Sequence, residues 1–192
     1  MKTIGRIILL LLVVGAVAFG VWYFTMGRQV ELVARGGGTD GSLQWAYALA
    51  LPQAKSTLAL DALLVEGEAD HVFQDGRLAA NVGEWRLSFS SFTANGRVIV
   101  TVNHLGTVTA GTSTPSGVIH AVGSPPGIFP NSNVIFASTV GRGTVGTRSV
   151  VNPVKLAYDS VAGAHLWLIT YNVNGSNETH KVRWDNVWLS VN

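Results

Sequence analysis

The acidic side chains of this 192-residue chain are concentrated in one stretch, which could bind a metal ion. Within "DALLVEGEADHVFQDG", Glu66, Glu68 and Asp70 alternate, so an extended strand would place their carboxylates on one face. Carboxylate oxygens are the ligands that calcium prefers. The stretch has no calcium-loop signature, so the alternative is a solvated strand end and turn. Glu66, Glu68 and Asp70 are therefore the calcium ligands that the sequence predicts if the chain binds a metal.

The histidines lack the spacing that metal or catalytic chemistry requires. There are five: His71, His104, His120, His165 and His180. None belongs to an H-x-H or H-E-x-x-H pattern. His120 alternates with Val118 and Val122, which predicts a half-buried strand residue, with a pigment or metal ligand as the alternative.

Motifs for catalysis and nucleotide binding are missing from the sequence. The absence of cysteine excludes disulfides, thiolate metal sites, iron–sulfur clusters and cysteine nucleophiles. No G-x-S-x-G elbow, G-x-G-x-x-G turn or Walker loop is present. The sequence predicts a protein that is not an enzyme and holds no cofactor. An extracytoplasmic enzyme that uses the acidic stretch is the remaining enzymatic alternative.

The tryptophans divide into expected core residues and a possible interface. Trp45, Trp85 and Trp167 each lie among apolar neighbours, which predicts burial. Trp184 and Trp188 fall on either side of a β-bulge predicted near residues 185–186, so at least one is expected to point outward. An exposed tryptophan could stack on a sugar or anchor a protein interface.

The elements that would position these residues show a period of two. Alternating side chains predict seven strands: "LQWAYALAL", "TLALDALLVEG", "EWRLSFS", "RVIVTVN", "GVIHAV", "NVIFAS" and "PVKLAY". A hairpin is predicted to pair "HLWLITYNV" with "THKVRWDNVWLSV". Asp-Gly and Asn-Gly pairs at 75–76, 95–96 and 174–175 mark turns. We predict an all-β fold over residues 43–192, an antiparallel β-sandwich or barrel of about ten strands, with no helix long enough for a βαβ unit.

A transmembrane helix is predicted to precede this domain. Residues 7–26 are 20 positions without a charge, including Ile7, Leu10 and Val14, and would span about 30 Å as a helix. Trp22 and Tyr23 lie at one end, where aromatic rings favour the membrane interface. The alternative is a signal peptide cleaved after residues 16–18, "AVA". The apolar run continues eight residues further, which favours a retained anchor.

The charges around this span predict its orientation. Lys2 and Arg6 precede it, whereas Glu31 offsets Arg28 and Arg35 after it, so the N-terminus is expected inside. The predicted organisation is a cytoplasmic N-terminus (1–6), a membrane span (7–26), a helix extension with a Gly-rich linker (27–42) and a periplasmic β domain (43–192). The expected location is the inner membrane of a bacterium, with a viral membrane as the alternative.

The low charge content indicates a membrane segment, a surface covered by partners, or both. Charged residues make up 12% of the chain, against about 25% in an ordinary soluble domain. A net charge of +2 does not favour nucleic acid as a partner. We expect a structural subunit whose partners are membrane lipid and other subunits of a respiratory, photosynthetic or secretory complex. The alternative is a surface binding module that recognises a glycan or a host receptor.

One stretch resembles the C-terminal head domains of phage tail fibres and spikes. Residues 97–140 read "RVIVTVNHLGTVTAGTSTPSGVIHAVGSPPGIFPNSNVIFASTV", with strands around a glycine-rich turn and a proline–glycine loop. The residues that match the loop motif are Pro126, Gly127, Pro130, Ser132 and Val134. This resemblance covers part of the chain and implies a β-rich spike, which would suit a phage that contains a membrane.

Overall fold

The structure is a computed structural model that describes residues 40–124 and 126–192. These residues belong to one compact unit, Gly38–Asn192. The predicted membrane span, with Ile7, Leu10, Val14, Trp22 and Tyr23, lies outside the described residues, as does most of the predicted linker. Among the helices that are described, none is long and apolar enough to cross a membrane.

The domain consists of two helices and one antiparallel sheet. The elements are α1 (Leu43–Thr57), β1 (Leu63–Asp70), β2 (Glu84–Ser91), β3 (Gly96–Asn103), β4 (Val108–Ala110), β5 (Thr114–Pro115), α2 (Ser132–Ser138), β6 (Arg148–Asp159), β7 (Ala164–Val173), β8 (Ser176–Arg183) and β9 (Trp188–Val191). The nine strands form one open sheet in the order β4-β3-β2-β1-β6-β7-β8-β9, and β5 also pairs with β3. The predicted all-β, antiparallel character is confirmed, but the strands form a single sheet in place of a sandwich or barrel.

The two faces of the sheet differ in polarity. Along β2, Trp85, Leu87 and Phe89 are fully buried on the face that contacts α1, which we call the covered face. Trp85 and Trp167 meet edge to face with ring centroids 6.2 Å apart, and Trp45 is also buried. The predicted core positions of these three tryptophans are confirmed. The opposite face, which we call the outer face, carries polar and charged side chains.

Helix α1 overturns the predicted strand at "LQWAYALAL". Its buried positions include Leu43, Ala46, Ala50 and Ala54, whose spacing of three to four residues defines one helical face. The small alanines allow the helix to pack closely on the sheet, whereas the larger Leu49 is partly exposed. The alternation of large side chains therefore did not mark the buried face, and the prediction of a domain without a long helix is wrong.

Two shorter segments also differ from the predicted strands. "NVIFAS" is helix α2, which Asn131 caps by accepting a hydrogen bond from Ser132 N. Asn131 Oδ1 also accepts from Gln44 N at 3.1 Å, and Ser132 Oγ accepts from Leu43 N at 3.0 Å. Asn131 and Ser132 therefore cap the N-terminus of α1 as well as beginning α2, and this contact ties the two helix N-termini together. "GVIHAV" at 117–122 forms no strand.

The turns largely follow the sequence. Asn174 and Gly175 have φ values of 51° and 89°, and they join β7 to β8 as the two-residue hairpin that Asn-Gly predicts. The predicted bulge near 185–186 is a turn instead, in which Asn186 N donates to Arg183 O. The register shift lies in β9, where Lys181 pairs with Ser190 but Val182 pairs with Trp188.

Candidate functional site

A pocket beside an irregularity in β1 is the clearest candidate for a binding site. It has a volume of about 250 Å³ and lies where the chain segment 116–120 passes β1, β2, β3 and β6. Its lining residues are Val65, Glu66, Ser90, Arg97, Ser116, Gly117, Val118, His120, Ala157 and Tyr158. We call it the bulge pocket, because β1 is irregular at this point.

The irregularity in β1 is a β-bulge at Val65. Leu64 pairs with Phe89 and Glu66 pairs with Ser88, so Val65 is the extra residue. The carbonyl oxygen of Val65 accepts a hydrogen bond from His165 Nε2 at 2.9 Å, which fixes the proton on that nitrogen. Burial lowers the pKa of His165 and favours the neutral ring. Bulges are frequent beside binding sites because they redirect neighbouring side chains.

One wall of the bulge pocket is a carboxylate–guanidinium pair. Arg97 on β3 forms an ion pair through Nη2 with Glu66 on β1, and the same nitrogen donates to Ser88 Oγ at 2.9 Å. About two fifths of each charged side chain is exposed, at 39% for Arg97 and 42% for Glu66. The pair therefore presents both hydrogen-bond donors and acceptors to solvent while its charges cancel.

Another part of the lining is aromatic. The rings of His120 and Tyr158 stack with centroids 3.7 Å apart and planes inclined by 4°. Tyr158 also meets the ring of His165 edge to face at 5.5 Å. Val118 is 86% exposed and adds an apolar surface. An aromatic stack beside polar groups is typical of sites that bind amphipathic ligands.

The structure places the predicted calcium ligands on one face and gives each a basic partner. Glu68 contacts Arg86 and Lys155, at 3.0 Å in both cases. Asp70 also contacts Arg86, and Glu66 pairs with Arg97 as described above. Within residues 40–124 and 126–192, no group of three His, Cys, Asp or Glu side chains is arranged to hold a metal ion.

The predicted interface tryptophans, Trp184 and Trp188, are both half-buried against the core. The guanidinium of Arg142 lies 4.8 Å from the ring centre of Trp188. The more exposed apolar side chains here are Val187 and Leu189, each 42% exposed. Leu189 lies at the register shift in β9, the last strand of the sheet. The apolar surface at this edge therefore comes mainly from the neighbours of Trp188.

A second polar cluster, which the sequence did not indicate, is buried on β8. Both oxygens of Glu178 are bonded: Oε1 to His180 Nε2 at 2.9 Å and Arg148 Nη2 at 3.1 Å, and Oε2 to Thr144 N at 2.9 Å. These bonds, above all the one from His180, lower the pKa of Glu178 to about 2. The cluster holds the loop 140–147 through Thr144 and through Arg148, at the start of β6.

Most of the bulge pocket was also missed, because its residues are far apart in the sequence. Glu66 and His120 belong to different predicted sites, whereas Arg97 and Tyr158 lie in no distinctive motif. The bulge brings them together, and a single extra residue in "LLVEG" leaves no clear mark in an apolar run. Trp184 and Trp188 do not line this pocket.

Comparison with known proteins identifies a similar fold. A crystal structure of a protein from Clostridium difficile 630, described as a putative lipoprotein, superposes with a TM-score of 0.53 and 10% sequence identity. The match covers 74% of this chain and 89% of the other. No protein-family model matches the sequence, and no curated protein does. At this identity the similarity shows the fold alone.

Proposed function

We propose that this chain is a non-enzymatic accessory subunit, anchored by one span in a bacterial inner membrane, that stabilises a larger complex. Its β domain binds an extended segment of a partner subunit on the periplasmic side. The observation that supports this proposal is the edge strand β9, which pairs on one side with β8 and ends the sheet. The description of the C. difficile neighbour as a lipoprotein agrees with a membrane-associated location.

The edge strand β9 has no charged residue and no proline, although it is only four residues long and irregular at Leu189. Natural edge strands are commonly protected by charged side chains or proline. Residues 188–191 read "WLSV" and contain neither. Backbone groups along the outer side of such a strand can pair with another chain, and Val187 and Leu189 add exposed apolar contacts. A strand from a neighbouring subunit would pair with these backbone groups and cover the exposed side chains of Val187 and Leu189.

The proposal can be tested with a photo-reactive amino acid at position 189 and with the variant Leu189→Lys. We expect position 189 to crosslink to one specific chain in the native membrane. Leu189→Lys should reduce co-purification of that chain at least about tenfold, because a charged side chain would be buried at the interface. The matched control is Ile99 on β3, which is 48% exposed but lies away from both edges.

Two results would contradict the proposal. One is a wild-type protein that elutes alone and monodisperse in mild detergent. The other is equal co-purification of the crosslinked chain by Leu189→Lys and Ile99→Lys.

A second candidate function, a binding module for glycans, is favoured by one specific observation, the bulge pocket.

A further inference from the structure

We propose that the bulge pocket binds one ring of a neutral carbohydrate. The lining of the pocket combines a carboxylate–guanidinium pair, Glu66 with Arg97, and the stacked rings of His120 and Tyr158. The β9 edge does not contribute to it, so this inference is independent of the proposed partner interface.

The size of the pocket limits the ligand. Sites for drug-sized molecules enclose about 300–1,000 Å³, whereas the bulge pocket has about 250 Å³. A single sugar ring, alone or at the end of a longer glycan, fits such a volume better than a multi-ring molecule. The pocket opens at the surface beside the exposed residues Gly117 and Val118, so the remainder of a glycan could extend into solvent.

The polar wall matches hydroxyl groups on a neutral ligand. Within residues 40–124 and 126–192, the ion pair and the bond to Ser88 use only Nη2 of Arg97, and the carboxylate of Glu66 is engaged through Oε2. The remaining guanidinium N–H groups can donate to a hydroxyl oxygen, while Glu66 Oε1 can accept from a hydroxyl hydrogen. Because the pair carries no net charge, it favours a neutral polyol over an anion.

The aromatic wall matches the other property of a sugar ring. Carbohydrates have an apolar face of C–H groups, which aromatic side chains cover while their polar atoms remain solvated. Tyr158 is 38% exposed although it stacks on His120, and Val118 extends the apolar surface. The edge contact with His165, itself fixed to the Val65 carbonyl, holds the Tyr158 ring in place.

The test is a glycan array probed with the full-length chain in a detergent without a sugar headgroup, since a maltoside would compete. The array contains neutral hexose and N-acetylhexosamine oligosaccharides together with sialylated and sulfated ones. Titration calorimetry then measures the Kd for the strongest neutral ligand. We expect Tyr158→Ala and Arg97→Gln each to weaken binding about tenfold or more.

The control is Phe92→Ala, which removes an aromatic ring that is 66% exposed outside the pocket. Its Kd should equal that of the wild type. Glu66→Gln keeps the shape of the side chain and should also weaken binding, so the test does not depend on one variant remaining folded. Thermal unfolding of each variant verifies the fold. The inference is overturned if no neutral glycan binds, if charged glycans bind more tightly, or if Phe92→Ala and Tyr158→Ala have equal effects.

Discussion

Glu178 illustrates how a few side chains hold a loop in place. Its carboxylate accepts hydrogen bonds from Arg148, His180 and the backbone of Thr144. Gly143, at φ +77°, approaches so closely that an added Cβ would lie 2.5 Å from Glu178 Oε1. A glycine at position 143 therefore suits the positive φ, and it also lets the backbone pass close to the Glu178 carboxylate.

The depressed pKa of Glu178 predicts how stability depends on pH. The pKa falls from 4.5 in the unfolded chain to about 2 in the folded one. The unfolded state therefore takes up the proton first, and the contribution of Glu178 is complete above pH 4.5 and is lost as the pH falls towards 2. We expect Glu178→Gln to lower the free energy of unfolding by about 2 kcal/mol at pH 7, because Arg148 loses its buried partner.

Urea denaturation of both proteins between pH 7 and pH 2 measures this effect. The difference between wild type and Glu178→Gln should shrink below pH 4.5. Other groups that face Glu178 are His180, Arg148 and Tyr171, and the variant retains all of them. Glu84→Gln, at a carboxylate 35% exposed on the outer face, is the control. A difference that does not vary with pH would show that the Glu178 charge does not stabilise the loop.

Among the elements, the strands were predicted well where one face is buried and the other solvated. "EWRLSFS" and "RVIVTVN" alternate because β2 and β3 have one covered and one polar face. The prediction of a strand from alternating large side chains failed at α1, where alanines face the sheet and larger side chains lie on the flanks. It failed again at α2, whose helical form depends on capping by Asn131 and on contact with α1. Such tertiary contacts are not visible in local sequence.

The close packing of α1 leads to a prediction about its alanines. Ala50 is fully buried, whereas Ala48 on the same helix is half-buried. Ala50→Leu should lower the free energy of unfolding by about 1–3 kcal/mol, because the larger side chain forces the helix away from the sheet.

The matched control for this change is Ala48→Leu. It introduces the same side chain in the same helix and should change stability by no more than about 0.5 kcal/mol. Urea denaturation of both variants measures the difference. Equal effects of the two substitutions would mean that α1 does not pack on the sheet through the Ala50 face.

In the molecule as a whole, the sequence predicted the class of fold but not the arrangement of the sheet. Local alternation identifies strands, yet it does not state whether they close into a barrel, divide into two sheets or remain in one. Here β1 pairs with β6, so the segment between them, with four further strands and α2, is a long insertion between two neighbouring strands. The bulge pocket forms at that junction, which explains why neither the pairing nor the site was predicted.

The orientation of the whole chain can be tested because it contains no cysteine. A single cysteine at Ser160→Cys, in the exposed turn between β6 and β7, reports on the β domain, and Lys2→Cys reports on the N-terminus. If residues 7–26 span the membrane with the N-terminus inside, a membrane-impermeant maleimide should label Ser160→Cys in intact spheroplasts. It should label Lys2→Cys only after permeabilisation, because the positive residues before the span favour the cytoplasm. If neither site is labelled before permeabilisation, the β domain lies in the cytoplasm. If the mature chain lacks residue 2, the apolar run is a cleaved signal peptide.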